Sequence, residues 1–123
     1  MKRVLHIEAG RAPADNLARA RAAMESLQTG QKAESWFGVG FESLGQMLAV
    51  FTPRRLELLT VLRERGPMRV SELARTLGRN YKNVHGDVAA LEQWLVIERD
   101  EGGRATVPWD EIDMRLPLVD KAA

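Results

Sequence analysis

The sequence predicts an α+β chain, mainly α-helical with one small β-hairpin. Three observations predict it. Apolar residues recur at helical spacing through most of residues 53–95, residues that start and stop helices stand at the ends of those runs, and two short extended segments flank Asp100-Glu101-Gly102-Gly103.

Val4-Leu5-His6-Ile7 reads as a short strand ended by Gly10, and Pro13 suits a helix N-terminus. Ala14 to Gln28 is rich in good helix formers, and Leu17, Ala20, Met24 and Leu27 make one apolar stripe that ends at Gly30. Trp36, Phe37, Val39 and Phe41 then predict an aromatic strand that covers a core. Gly38, Gly40 and Gly45 do not make a phosphate loop. Their spacing is not the dinucleotide fingerprint, and no Lys-Ser/Thr follows them.

Phe51-Thr52-Pro53 reads as staple, N-cap and first helical residue. Leu56, Leu59, Val61 and Leu62 carry that helix to Gly66-Pro67, a sharp stop. Ser71 is the expected next N-cap, with a helix from Glu72 to Leu77 ended by Gly78. Asn80 caps a third helix from Tyr81 to about Leu95, with Tyr81, Val84, Val88, Leu91 and Leu95 turned inward. Val96 to Arg99 and Arg104 to Pro108 are the two arms of the hairpin. Three helices followed by a hairpin is the element order of a winged helix-turn-helix, here with an N-terminal helical and aromatic extension. The expected organisation is an extension over residues 1–42, a winged helix-turn-helix domain over 43–116 and a short tail over 117–123.

Composition narrows the function classes. The 123 residues are 45% hydrophobic and 28% charged, a globular balance. The longest apolar run, Met47 to Phe51, is too short to span a bilayer, and only Val4 and Leu5 separate the basic start from His6, so no signal peptide is expected. The expected compartment is the cytoplasm. No cysteine is present, which excludes disulfides, thiolate zinc sites and a cysteine nucleophile. The two histidines, His6 and His85, are far apart in sequence, and no nucleophile and base fall at a catalytic spacing, so neither a metal, a cofactor nor an enzymatic activity is expected. The net charge of +1 is unevenly spread. Met1 to Val50 carries six Lys/Arg against five Asp/Glu, Phe51 to Arg99 nine against six, and Asp100 to Ala123 three against six. The basic middle points weakly to an anionic partner.

The spacing demands of a helix-turn-helix sharpen that reading. Ala74 is the small residue where a second helix crosses closely, Gly78 tolerates the positive φ of the turn, and Val84 and Val88 anchor the second helix inward. Lys82, Asn83 and Gly86 then point away from the core, with His85 to one side and Arg79 and Asn80 at the helix N-terminus. Asn pairs bidentately with adenine, and Lys or Arg with guanine. The N-terminal end of such a helix is the part that enters the major groove. The candidate DNA-binding set is therefore Arg69, Ser71, Arg79, Asn80, Tyr81, Lys82, Asn83, His85 and Arg104. Arg69, just before the Ser71 cap, would clamp the backbone, and Arg104 would lie along a minor groove beyond the Gly102-Gly103 turn. Asp100 and Glu101 on that turn oppose close phosphate approach, so the wing is expected to contribute little. His85 has two readings, a phosphate contact or a local hydrogen bond to Asp87 or Glu92. Asp87 is expected to pair with Arg75 or Arg63, and Trp94 to be core or a dimer contact. The competing reading of the same face is an ordinary solvated helix surface.

Thr52 to Leu59, Ser71-Glu72-Leu73-Ala74, and Gly78 to Val88 with Leu91-Glu92 resemble a family of small prokaryotic winged-helix DNA-binding proteins, distantly similar to the MarR regulators. The likeness covers about residues 41–108 and is most specific at Asn83-Val84-His85 and Asp87-Val88. It implies a transcriptional regulator or the antitoxin of a TumA-type toxin–antitoxin pair. The partners implied are double-stranded DNA, a second copy of the chain and a cognate toxin. This chain has Gly86 where the family tends to carry Arg, which removes a cation and costs about 1 kcal/mol of helix stability against Ala. The leading expectation is a sequence-specific, homodimeric repressor, with residues 14–28 and the aromatic segment as dimer surface. The rival is a winged helix used only to bind other proteins, a role the fold also serves.

Overall fold

The computed structural model describes residues 2–10 and 37–119. The helix expected over Ala14–Gln28, with its dimer role, and Pro13 and Trp36 lie outside the described residues. The chain is mixed α and β. In order it runs β1 (Val4–Ala9), β2 (Phe37–Phe41), α1 (Leu44–Val50), α2 (Pro53–Arg65), α3 (Val70–Leu77), α4 (Tyr81–Gln93), β3 (Glu98–Arg99), β4 (Ala105–Thr106) and β5 (Glu111–Arg115). No described helix is long and apolar enough to cross a membrane.

The chain divides into two compact units, one of residues Met1–Ala49 with Glu111–Ala123 and one of Val50–Asp110. The expected division at 42/43 and 116/117 therefore needs correction: residues 111–115 return to the N-terminal unit. They do so by strand pairing. The first unit holds a three-stranded parallel sheet in the order β2-β1-β5. In its register Leu5 faces Ile112 and Ile7 faces both Val39 and Met114. Period-two alternation thus gathers Leu5, Ile7 and Ala9 on one buried face, where Ala9 meets the buried Phe41. The other face is polar, where His6 Nδ1 lies 3.2 Å from Asp113 Oδ2 and Arg115 Nε lies 3.2 Å from the same oxygen. Gly10, at φ 81°, ends β1 and donates to the Phe41 carbonyl at 2.8 Å.

In the second unit, Thr52 caps α2 by accepting from the Arg55 N–H at 3.3 Å, and Pro53 opens the helix. Leu58, Leu59 and Leu62 form its buried stripe. The start of α3 differs from expectation. The helix begins at Val70, Arg69 is the extended cap residue without a side-chain cap bond, and Ser71 sits inside the first turn. The cause is a β-bridge that ties Met68 to Ala105, with N–H···O distances of 3.1 and 2.7 Å in the two directions. That bridge delivers an extended chain to residue 69, so helical dihedrals start two residues early. Gly78, at φ 64° and ψ 33°, then closes α3 in the left-handed conformation. The Arg79 N–H returns to the Ala74 carbonyl at 3.0 Å.

Asn80 caps α4, its Oδ1 accepting from the Lys82 N–H at 2.8 Å. Val84, Val88 and Leu91 are buried completely, facing the same interior as Leu73 and Ala74 of α3. Each such aliphatic side chain contributes roughly 1.5–3 kcal/mol when withdrawn from water. Tyr81 and Leu95, expected to continue the stripe, are instead 53% and 66% exposed. Leu95 is the only described non-glycine residue with positive φ, 64°. It turns the chain back so that the Val96 N–H bonds the Leu91 carbonyl at 3.0 Å. Val96 and Ile97 are buried in that turn, which leaves only Glu98–Arg99 of the expected strand to pair, antiparallel, with Ala105–Thr106. Trp109, which the sequence analysis passed over, is buried and donates its Nε1–H to the Leu95 carbonyl at 3.1 Å. Trp94 is half-buried.

Candidate nucleic-acid interface

The exposed surface of α4 is built by its own periodicity. With Val84, Val88 and Leu91 inward, Tyr81, Lys82, Asn83, His85, Gly86 and Ala89 are left exposed. The face is broad in polar groups at its N-terminal turns and small at Gly86 and Ala89. Lys82 makes no ion pair among the described residues, and it stands in the first turn with no acid beside it. The Tyr81 and His85 rings lie 5.8 Å apart at a 37° tilt, an i,i+4 pair on the helix surface. Neither expected hydrogen bond of His85 forms, because Asp87 and Glu92 are committed elsewhere.

Asp87 is the hub of those commitments. Its Oδ1 accepts from Arg55 Nε at 3.0 Å and its Oδ2 from Arg79 Nη2 at 2.7 Å, all three side chains being a fifth exposed or less. This corrects two expectations. Asp87 pairs with Arg55 of α2 and Arg79 of the turn, not with Arg75 or Arg63. Arg79 is drawn into the protein rather than held out to an external anion. Arg63 goes to the Trp109 carbonyl at 3.0 Å and to Asp110 at 2.6 Å. One carboxylate thus stands between two guanidinium groups, and among the described residues no acceptor meets Arg79 Nε or Nη1. Arg55 also donates to the Val50 carbonyl at 3.1 Å. The network fixes α2, the turn and the middle of α4 against one another.

The turn between β3 and β4 is bound up in itself. Asp100 Oδ1 accepts from the N–H groups of Gly102 and Arg104 at 3.0 and 2.8 Å, and Oδ2 from Arg104 Nε at 2.8 Å. These bonds, the Arg104 backbone N–H first, hold the Asp100 carboxyl below its ordinary value. Arg104 is therefore exposed but paired. Arg99 beside it is paired as well, to Glu92 at 2.8 Å.

Of the candidate set, Asn80, Tyr81, Lys82, Asn83 and His85 come together on the N-terminal turns of α4. Arg69 and Ser71 are exposed at the start of α3, and Arg79 and Arg104 are the two that carboxylates engage. A feature missed by the sequence analysis lies beside this cluster. An open notch of about 440 Å³ is lined by Arg54 of α2, by Gly78, Arg79, Asn80 and Asn83, and by Glu57. Its sequence signal, the doubled Arg54-Arg55, places two cations on α2 but does not say which is buried. No group of acidic or histidine side chains able to hold a metal ion occurs among the described residues.

No curated protein and no solved structure matches the chain. A family model, HVO_A0114, matches residues 50–114, just over half of the 123 residues. The match takes in the whole of the unit that carries α2, α3, α4 and the β3–β4 hairpin, together with most of β5. By that match, the chain belongs to the HVO_A0114 family.

Proposed function

We propose that the protein is a sequence-specific DNA-binding transcriptional regulator built on a winged helix-turn-helix. In this reading α3 and α4 are the two helices of the motif, the β3–β4 hairpin is the wing, and α4 enters the major groove N-terminus first. The observation that carries it is the exposed run Asn80–His85. It places one cation with no ion pair among the described residues, two amides and a histidine on the first turns of a helix whose following positions, Gly86 and Ala89, are small enough to let its backbone approach a groove wall. The tight left-handed turn at Gly78 and the Asp87 network hold that run in a fixed attitude. Two copies acting as a dimer would read half-sites about one helical turn of DNA apart.

The division of labour is testable by substitution. Lys82→Ala removes a phosphate contact, so affinity falls alike on every duplex and the salt slope flattens by about one unit. Asn83→Ala removes a base contact, so discrimination between related sites falls more than affinity for scrambled DNA. Wild-type affinities and slopes in both variants would refute the assignment of α4 as reader.

A second reading, a winged helix that docks only proteins, is favoured by one observation: both hairpin arginines, Arg99 and Arg104, are neutralised by Glu92 and Asp100. It requires that no duplex bind in a salt-dependent way.

A further inference from the structure

We propose that the start of α4 selects a thymine in the major groove, the Tyr81 ring covering the C5-methyl group and the Asn80 side-chain NH₂ donating to O4. The proposal rests on the DNA-binding reading and names the base that this end of the helix would read.

Two observations point to that base independently. The first is an exposed aromatic ring. Tyr81 is the first residue of α4, is 53% exposed and makes no hydrogen bond among the described residues. It follows the apolar period of the helix yet stays in water, so it offers a ready apolar surface. His85, one turn further on, lies against it with ring centroids 5.8 Å apart. A ring braced in this way has less rotamer freedom to lose on contact. The same stripe continues to Ala89, and beside it Gly86 stands where an added Cβ would meet nothing within 4 Å. The positions that follow the ring are thus too small to hold it away from the floor of a groove. Lys82 is the only Lys, Arg, Asp or Glu among the exposed positions from Asn80 to Ala89, so no exposed carboxylate flanks the ring.

The second observation is the donor sense of the neighbouring amide. Asn80 is exposed, and as the helix cap its Oδ1 accepts from the Lys82 N–H at 2.8 Å. A backbone N–H is met only by the oxygen of the amide, so the end left over is NH₂, a donor. Consecutive exposed residues therefore present a hydrogen-bond donor and an apolar ring. In the major groove adenine shows an acceptor and a donor, guanine two acceptors and cytosine a donor. Thymine alone sets an acceptor, O4, beside a methyl group. A donor next to an apolar surface is the complement of that edge, and residues 80 and 81 stand at the end of α4 that would enter the groove first.

Thymine and deoxyuridine differ only by that methyl group, which supplies the test. The duplex upstream of the gene is prepared once with thymine and once with deoxyuridine throughout. Full-length wild type, Tyr81→Phe, Tyr81→Ala and Asn80→Ser are titrated onto both by fluorescence anisotropy, with circular dichroism melts as a folding control. Wild type should favour the thymine duplex by about fourfold more than Tyr81→Ala does for each methyl covered. Tyr81→Phe, which keeps the ring, should show the wild-type preference. Any effect of the missing methyl groups on DNA shape is common to all the proteins and cancels in that comparison. Asn80→Ser keeps a capping oxygen but loses the amide, and should weaken binding to both duplexes, because deoxyuridine retains O4. The same thymine preference in wild type and Tyr81→Ala overturns the ring contact, and wild-type affinity in Asn80→Ser overturns the amide contact. Equal losses in Tyr81→Phe and Tyr81→Ala on both duplexes would assign the hydroxyl to the DNA backbone and overturn the thymine assignment. With any of these results, a wild type that still prefers the upstream duplex to a scrambled one leaves the DNA reading in place. A wild type without that preference overturns the reading and this proposal together.

Discussion

Gly86 gives the sharpest test of how α4 is built. It is the sixth residue of a thirteen-residue helix, exposed, with helical rather than positive φ. A Cβ added there meets no atom within 4 Å. Nothing in the fold therefore requires glycine, and replacing it by alanine should return the full difference in helix propensity. That difference is about 1 kcal/mol, partly from lower backbone entropy in the unfolded chain. It corresponds to about a fivefold change in the folding equilibrium and to a rise in melting temperature of about 4–8 °C for a small domain. Urea denaturation followed by circular dichroism is the assay. Gly86→Ala should move the midpoint upward at an unchanged m-value, since no buried surface changes. A lower midpoint would refute the reasoning, because it would mean that backbone geometry or close packing at residue 86 depends on the missing side chain. An unchanged midpoint would refute it too.

Three further outcomes follow from other contacts. Asp87→Ala removes the carboxylate that Arg55 and Arg79 share in a largely buried setting, and should cost about 2–4 kcal/mol in urea denaturation; adding Arg79→Met should recover part of that loss, and full additivity of the two changes would contradict the shared network. Leu95→Gly removes the strain of a left-handed leucine whose side chain is mostly exposed, and should stabilise the fold by about 1 kcal/mol, a loss in thermal melts being the contrary result. Asp100 has its folded-state pKa depressed below 3.8, so its stabilisation of the hairpin turn is present above that value and is lost as pH falls through the lower folded-state value. Amide exchange at Gly102 and Arg104 should accelerate in that acid range, whereas Asp100→Asn should show no such pH dependence.

The parts of the fold that local chemistry dictates were legible in the sequence. Thr52-Pro53 and Asn80 name their own helix starts, because a cap needs only residues within one turn. Gly78 names its turn because the left-handed dihedral excludes most side chains. Val84, Val88 and Leu91 follow from helical period alone. Contacts between distant residues were hidden. The Met68–Ala105 bridge, 37 positions apart, shifts the start of α3 from Glu72 to Val70. The strand Glu111–Arg115 alternates only two apolar residues among charged ones, and its parallel partner is Val4–Glu8, more than a hundred residues away. Arg79 looked like a surface cation because neither Asp87 nor Arg55 signals from sequence that it will share the same buried pair. Tyr81 matched the apolar period, but it sits at the very start of α4 and is more than half exposed.

The central claim is that α4 reads DNA sequence. It is met most directly by fluorescence-anisotropy binding of the full chain to the duplex upstream of its own gene, against a scrambled duplex of equal length, at two salt concentrations. The expected result is binding at least about a thousandfold tighter to the upstream duplex, with both affinities falling as salt rises. Equal affinity for the two duplexes, or no salt-dependent binding to either, would contradict the claim.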